Sequence, residues 1–175
     1  MMGQLTARGH ELTNSPEDAD AIVVNTCSFI DPAKQESVDT ILEMAEFKKT
    51  GRAKRLIVAG CLVERYREDI RTNIPDVDAV LGTNELDSIV ALCETGQAES
   101  NPLEPYLYHD LTPRVLTTPR HFAYIKINEG CDHPCTFCVI GTLGFKTRPV
   151  ADALAEIDHV RSLGVREIFF ADQTF

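Results

Sequence analysis

Residues 55–60 read Arg-Leu-Ile-Val-Ala-Gly, and the unbroken apolar centre of this run decides the fold. A strand with one wet face alternates apolar and polar residues, whereas a strand covered on both faces is apolar throughout. Two shorter runs of the same kind flank it, Ala-Ile-Val-Val-Asn over residues 21–25 and Ala-Val-Leu-Gly over residues 79–82. Helical patterns separate them. One begins at Asp31-Pro32, a capping residue followed by a proline at the first helical position, with Val38, Ile41, Leu42 and Ala45 as its expected apolar face. A second spans about 62–73 and stops before Pro75, and a third runs from about 85 to 95 with Gly96 as its stop. Alternation of buried strands and helices predicts an open, doubly wound parallel α/β sheet.

Residues 97–120 break this rhythm. They hold Pro102, Pro105, Pro113 and Pro119 without a sustained period, and read as a linker between two domains. Beyond it come a strand over 122–127, a cysteine-bearing loop, a helix over about 150–163 with Leu154, Ile157 and Val160 on its apolar face, and a strand over 167–172. One β-loop-α-β unit opens a parallel barrel without closing it. The expected division is 1–96, linker 97–120, and 121–175.

The chain has 175 residues, is 43% hydrophobic and carries a formal net charge of −10. That charge makes nonspecific affinity for nucleic acid weak. No apolar run reaches the length of a membrane span, and the first ten residues lack the layout of a secretion signal. A cytoplasmic location is the default expectation. Its reducing conditions turn six cysteines away from disulfides and toward metal or redox chemistry.

Residues 131–138 read Cys-Asp-His-Pro-Cys-Thr-Phe-Cys, a C-x3-C-x2-C run. A closed zinc site takes four ligands, and a ferredoxin-type cluster takes four cysteines. Three thiolates on a four-iron cluster leave one iron open to a substrate or cofactor. The competing reading is a zinc loop completed by His133 or His121. Gly130, after Glu129, lets the backbone turn sharply into the loop. Cys27 and Cys61 each lie just past a predicted strand, so a parallel sheet brings them to one edge. Buried, inert thiols and metal ligands are equally good readings of that pair. Cys93 shares helical spacing with Leu86, Ile89 and Val90 and belongs to a core. Gln173, at the end of the last strand, faces the same edge as the cysteine loop and is a candidate cofactor contact, with a solvated strand end as its alternative.

The loop in its context, Ile127-Asn128-Glu129-Gly130-Cys131 through Cys138-Val139-Ile140, resembles the radical SAM superfamily and, more narrowly, the methylthiotransferases. Arg148-Pro149, Asp152, Leu154 and Glu156 through Gly164-Val165 resemble that family's first barrel helix and turn. The resemblance implies that Cys131, Cys135 and Cys138 hold a 4Fe–4S cluster whose open iron binds S-adenosylmethionine, the source of a 5′-deoxyadenosyl radical. Asn25-Thr26-Cys27 and Ala59-Gly60-Cys61 are similar to the family's second and third N-terminal cysteine motifs, which implies an auxiliary 4Fe–4S cluster at Cys27 and Cys61. Phe29-Ile30-Asp31 through Val38 is similar to the branch acting on ribosomal protein S-twelve (RimO-type) rather than the transfer-RNA branch. The implied reaction is methylthiolation of an aspartate β-carbon. The implied fold is a flavodoxin-like parallel-sheet domain followed by the first unit of a partial TIM barrel.

Against the family pattern, the first cysteine motif would precede Met1. The stretch Gly141-Thr142-Leu143-Gly144 stands where the family has a proline and an Arg-Gly pair. The expectation is a chain truncated at both ends, lacking one auxiliary ligand and inactive by itself. A non-catalytic iron–sulfur or zinc module is the reading from another class.

Overall fold

The computed structural model describes residues 1–98, 106–110, 112–138 and 140–173. Pro102 and Pro105 of the expected linker, Val139 of the cysteine-loop motif and the last two residues of the expected barrel segment lie outside them. The chain divides into two compact units within residues 99–105.

The first unit is an α/β layer structure. Strand β1 (Ala21–Thr26), helix α2 (Asp31–Thr50), β2 (Arg55–Gly60), α3 (Cys61–Asn73) and β3 (Ala79–Leu81) follow the short helix α1 (Met2–Ala7). The three strands form one parallel sheet in the order β1-β2-β3, with Thr26 opposite Gly60 and Ala59 opposite Leu81. Both crossovers advance in the same direction. Right-handed connections therefore put α2 and α3 on one face, where Ile22, Val24, Leu56 and Val58 meet Ile41 and Ala45 of α2 and Leu62, Val63 and Ile70 of α3. On the other face Ile57, Ala59 and Leu81 meet Leu5 of α1 and Ile89 and Leu92 of α4 (Ile89–Thr95). β2 is the strand covered on both sides, and its residues 56–60 are all buried. Its continuous apolar reading follows from that position.

Three details depart from the expected pattern. Asp31 is the first helical residue rather than the cap, which is Ile30, and its carboxylate pairs with Lys34 at 2.5 Å. Leu42 is exposed; the buried stripe of α2 runs through Ser37, Ile41 and Ala45 instead. The helix expected over 85–95 is a 3-10 turn, Thr83–Ser88, leading into α4. Gly96 ends it with φ +76°.

In the second unit β4 (Phe122–Lys126) pairs in parallel with β7 (Glu167–Ala171). The crossover helix α5 (Val150–Ser162) lies against Ala123 and Ile125 through Val160. Leu154 is exposed and Glu156 buried. The reason is a salt-bridge network: Glu156 receives both Arg114 and Arg148, so the inward face of α5 carries a carboxylate that hydrophobic periodicity counts as surface. Arg114 also donates to the Tyr124 carbonyl at 3.0 Å, and Leu116 packs on the same core. Part of the stretch expected as linker thus belongs to the second unit. Between β4 and α5, the two-residue strands β5 (Asn128–Glu129) and β6 (Lys146–Thr147) form an antiparallel ladder. No helix among the described residues is long and apolar enough to cross a membrane.

Candidate functional site: two cysteine clusters at strand ends

The cysteine loop leaves the carboxyl end of β4 and returns through β6, so its two limbs meet at a clamped base. Asn128 pairs with Thr147 and Glu129 with Lys146. The Arg148 amide donates to the Ile127 carbonyl at 2.8 Å. The Arg148 guanidinium, with its side chain 1% exposed, donates to the Lys126 carbonyl at 3.0 Å, to the Asp152 carboxylate at 2.9 Å and to Glu156. Burial works against the Arg148 charge, but hydrogen bonds to Asp152 and Glu156 outweigh it and hold its pKa above the ordinary value. Gly130 opens the loop at φ +73°. A Cβ there would run into the Gly144 carbonyl on the returning limb, so only glycine permits this closure.

Within the loop, Cys135 is exposed and Cys131 and Cys138 are partly so. The ligating atoms of Cys131, Asp132 and His133 lie within 4.8 Å of one another, and no other such group occurs among the described residues. The His133 amide donates to the Cys131 sulfur at 3.4 Å, and the His133 ring is paired with Asp132 at 3.0 Å. Cys135 and Cys138 are outside that grouping, joined to each other through the Cys138 amide and Cys135 carbonyl at 3.2 Å. Three sulfur donors on one clamped loop suit a thiophilic metal or an iron–sulfur cluster. Beside the loop, Asn128 Nδ2 donates to Asp172 at 2.6 Å. Asn128 Oδ1 is buried without a partner among the described residues, an acceptor left over for an incoming N–H or O–H. Gln173 is exposed at the end of β7, its amide bonded to its neighbour Asp172 at 2.6 Å.

The second cluster is in the first unit. Thr26 and Gly60 are paired residues at the ends of adjacent parallel strands, so Cys27 and Cys61 begin adjacent turns. Cys61 is the first residue of α3, where the amide dipoles of the first turn point toward it. Gly60 makes this geometry with φ +103°, and a Cβ there would meet the Thr26 carbonyl at 2.5 Å. Cys27 is exposed and Cys61 partly buried. Three buried hydroxyls surround the pair. Thr26 donates to the Ala59 carbonyl at 2.6 Å, Ser28 to the Cys61 carbonyl at 3.1 Å, and Ser37 accepts from the Cys27 amide at 3.0 Å. Arg65 donates to the Ser28 carbonyl at 3.2 Å. Sequence reasoning placed the cysteines but not these hydroxyls, since serines and threonines carry no periodic signal. Cys93 packs against the core of the α1–α4 face, and burial pushes its thiol pKa up, as its core reading requires.

Comparison with known proteins gives a consistent set of relatives. Residues 1–82 match the family described as uncharacterized protein family UPF0004. The chain is 69% identical over 170 residues to the ribosomal protein uS12 methylthiotransferase RimO of Solibacter usitatus, covering 96% of this chain and 37% of that protein. It is 47% identical over 221 aligned positions to the protein of the same name from Koribacter versatilis (99% of this chain, 44% of that protein). It is 44% identical over 175 to the one from Clostridioides difficile (96% and 39%). The chain spans less than half the length of these curated relatives.

Proposed function

From the premise that this chain is a relative of the ribosomal protein uS12 methylthiotransferases over 96% of its length, we propose that it provides the cluster-holding portion of a methylthiotransferase acting on ribosomal protein S-twelve at an aspartate β-carbon. The observation that carries this reading is the 69% identity over 170 residues, which spans both cysteine clusters. The substrate comes from the relatives' name; the chemistry of the chain supports the class of reaction.

In this reading Cys131, Cys135 and Cys138 hold a 4Fe–4S cluster, with S-adenosylmethionine as its partner and Gln173 and Asn128 as polar contacts for that cofactor. Cys27 and Cys61 hold an auxiliary 4Fe–4S cluster. The bound cluster and cofactor supply a carbon radical able to take hydrogen from an unactivated C–H bond, which no general base can deprotonate. The chain's own contribution is positional. The β5–β6 ladder and Arg148 fix both limbs of the loop, so its thiols stay at the carboxyl edge of β4. Lys126 and Glu129 pair with each other on the limb that enters the loop. Residues 1–96 form a flavodoxin-like domain in this scheme, residues 97–120 a connection whose later part, from Arg114, packs on the second unit, and residues 121–175 the first βαβ unit of a radical SAM barrel working in the cytoplasm.

Anaerobic reconstitution followed by iron and acid-labile sulfide analysis tests the assignment. The chain is expected to take up about four iron per loop cluster, and Cys135→Ala to abolish that uptake and its visible absorption. About one zinc and no iron per chain would remove the radical reading. Measuring binding of a ribosomal-protein loop peptide and of an anticodon stem–loop to the cluster-loaded chain separates the two substrate classes, and binding of the RNA alone would overturn the protein assignment.

A further inference from the structure

Cys27 and Cys61 are 34 positions apart, and the hydroxyls between them have no role in the scheme so far. Ser28 is 1% exposed and Ser37 7%. A buried hydroxyl costs free energy unless it is bonded, and both of these are bonded to the cysteine turns. Ser37, on α2, accepts from the Cys27 amide at 3.0 Å and offers its single proton to the carbonyls of Ala33, at 2.8 Å, and Cys27, at 3.1 Å. It therefore ties the turn after β1 to the second turn of α2. Ser28 crosses to the other turn, donating to the Cys61 carbonyl at 3.1 Å. Arg65, one turn into α3, closes the ring by donating to the Ser28 carbonyl. Each cysteine main chain is thus held from outside its own turn by a serine.

We propose that Ser37 and Ser28 are positioning residues that hold Cys27 and Cys61 as one dithiol site at the edge of the sheet. The proposal rests on the cluster reading above for its biological purpose but concerns the geometry of the pair itself. Without Ser37 the Cys27 amide turns to water and the turn after β1 gains freedom. Without Ser28 the Cys61 carbonyl loses the hydroxyl that ties it to the turn after β1. A ligand that must bridge both sulfurs then has to order them on binding.

The probe is phenylarsine oxide, whose arsenic condenses with two thiols to give one cyclic dithioarsenite and one water, with no change of oxidation state. The 175-residue chain carrying Cys93→Ala, Cys131→Ser, Cys135→Ser and Cys138→Ser leaves this pair as the sole target. It is expected to capture one arsenical per chain. Ser37→Ala and Ser28→Ala are each expected to weaken capture about tenfold, the roughly 1.4 kcal/mol of one hydrogen bond. Ile41→Val, which loosens the same helix without removing a hydroxyl, should leave capture within about twofold. Serine variants that capture like the parent, or an Ile41→Val effect as large as theirs, overturn the proposal. A second measurement needs no substitution. Hydrogen exchange of the Cys27 amide in the unaltered chain should be slowed at least about a hundredfold relative to an open peptide, and exchange at the open rate refutes the Ser37 tie. Iron uptake by the unaltered chain reports separately on the cluster reading. Absent iron with hydroxyl-dependent arsenical capture sinks that reading and leaves the positioning role, and iron uptake with hydroxyl-independent capture does the reverse.

Discussion

Arg148 shows how much one side chain can settle. It is buried, spends its donors on two carboxylates and two backbone carbonyls, and its own amide holds the opposite limb of the cysteine loop. Removing it leaves Asp152 and Glu156 as poorly compensated charges beneath the loop. Arg148→Met is expected to cost the second unit about 3 kcal/mol, measured by hydrogen exchange of the β4 and β7 amides. The same network sets a pH dependence. Burial opposes the Asp152 charge, but the Arg148 guanidinium and the Asp110 amide prevail and hold its carboxyl below the ordinary value. A carboxyl lowered on folding stabilises the fold above its unfolded pKa, about 3.9, and that contribution is lost as pH falls through the folded value. The second unit should weaken below about pH 4. Asp152→Asn should be less stable than the parent at pH 7 and should lose less between pH 5 and pH 2, as urea midpoints at the three pH values would record.

Among the elements, the strands were the most legible. β2 announces itself because a strand covered on both faces has no polar positions to confuse its reading, and its neighbours in register followed from parallel pairing. The helices were legible in position but less so in face, and the one expected over 85–95 is α-helical only from Ile89. Leu42 and Leu154 fit an apolar stripe and are exposed, while Ser37 and Glu156 break that stripe and are buried. Periodicity scores a residue by its own polarity, and burial here is decided by partners from other elements: a cysteine amide for Ser37, two arginines for Glu156. Ile41→Ala and Leu42→Ala make the contrast measurable. The first is expected to cost about 3 kcal/mol and the second to change stability within about 0.5 kcal/mol, by urea unfolding followed by circular dichroism. The cysteines were legible as strand-end residues because register carries them to one edge. The two-residue strands β5 and β6 were not, since a pairing that short has no pattern of its own and exists only through the loop it closes.

For the whole molecule, the charge of −10 bears on partners rather than on fold. The chain is expected to bind unstructured RNA with a Kd weaker than about 10⁻⁴ M at physiological salt, measured by fluorescence anisotropy, with submicromolar binding contradicting it. Both cysteine clusters emerge from the carboxyl ends of parallel strands, where α/β folds gather ligands. In the first unit this has a bearing on how the sequence can change over time. The separation of Cys27 and Cys61 is framed by two neighbouring strands in register, about 4.8 Å apart, and the Ser37 and Ser28 contacts act within that frame. Substitutions on the exposed face of α2, at Glu36 or Glu43, leave that register untouched. Drift in the intervening sequence is therefore tolerated while Thr26 stays opposite Gly60, and a slip of β1 by one position would separate the pair with every residue of both motifs intact.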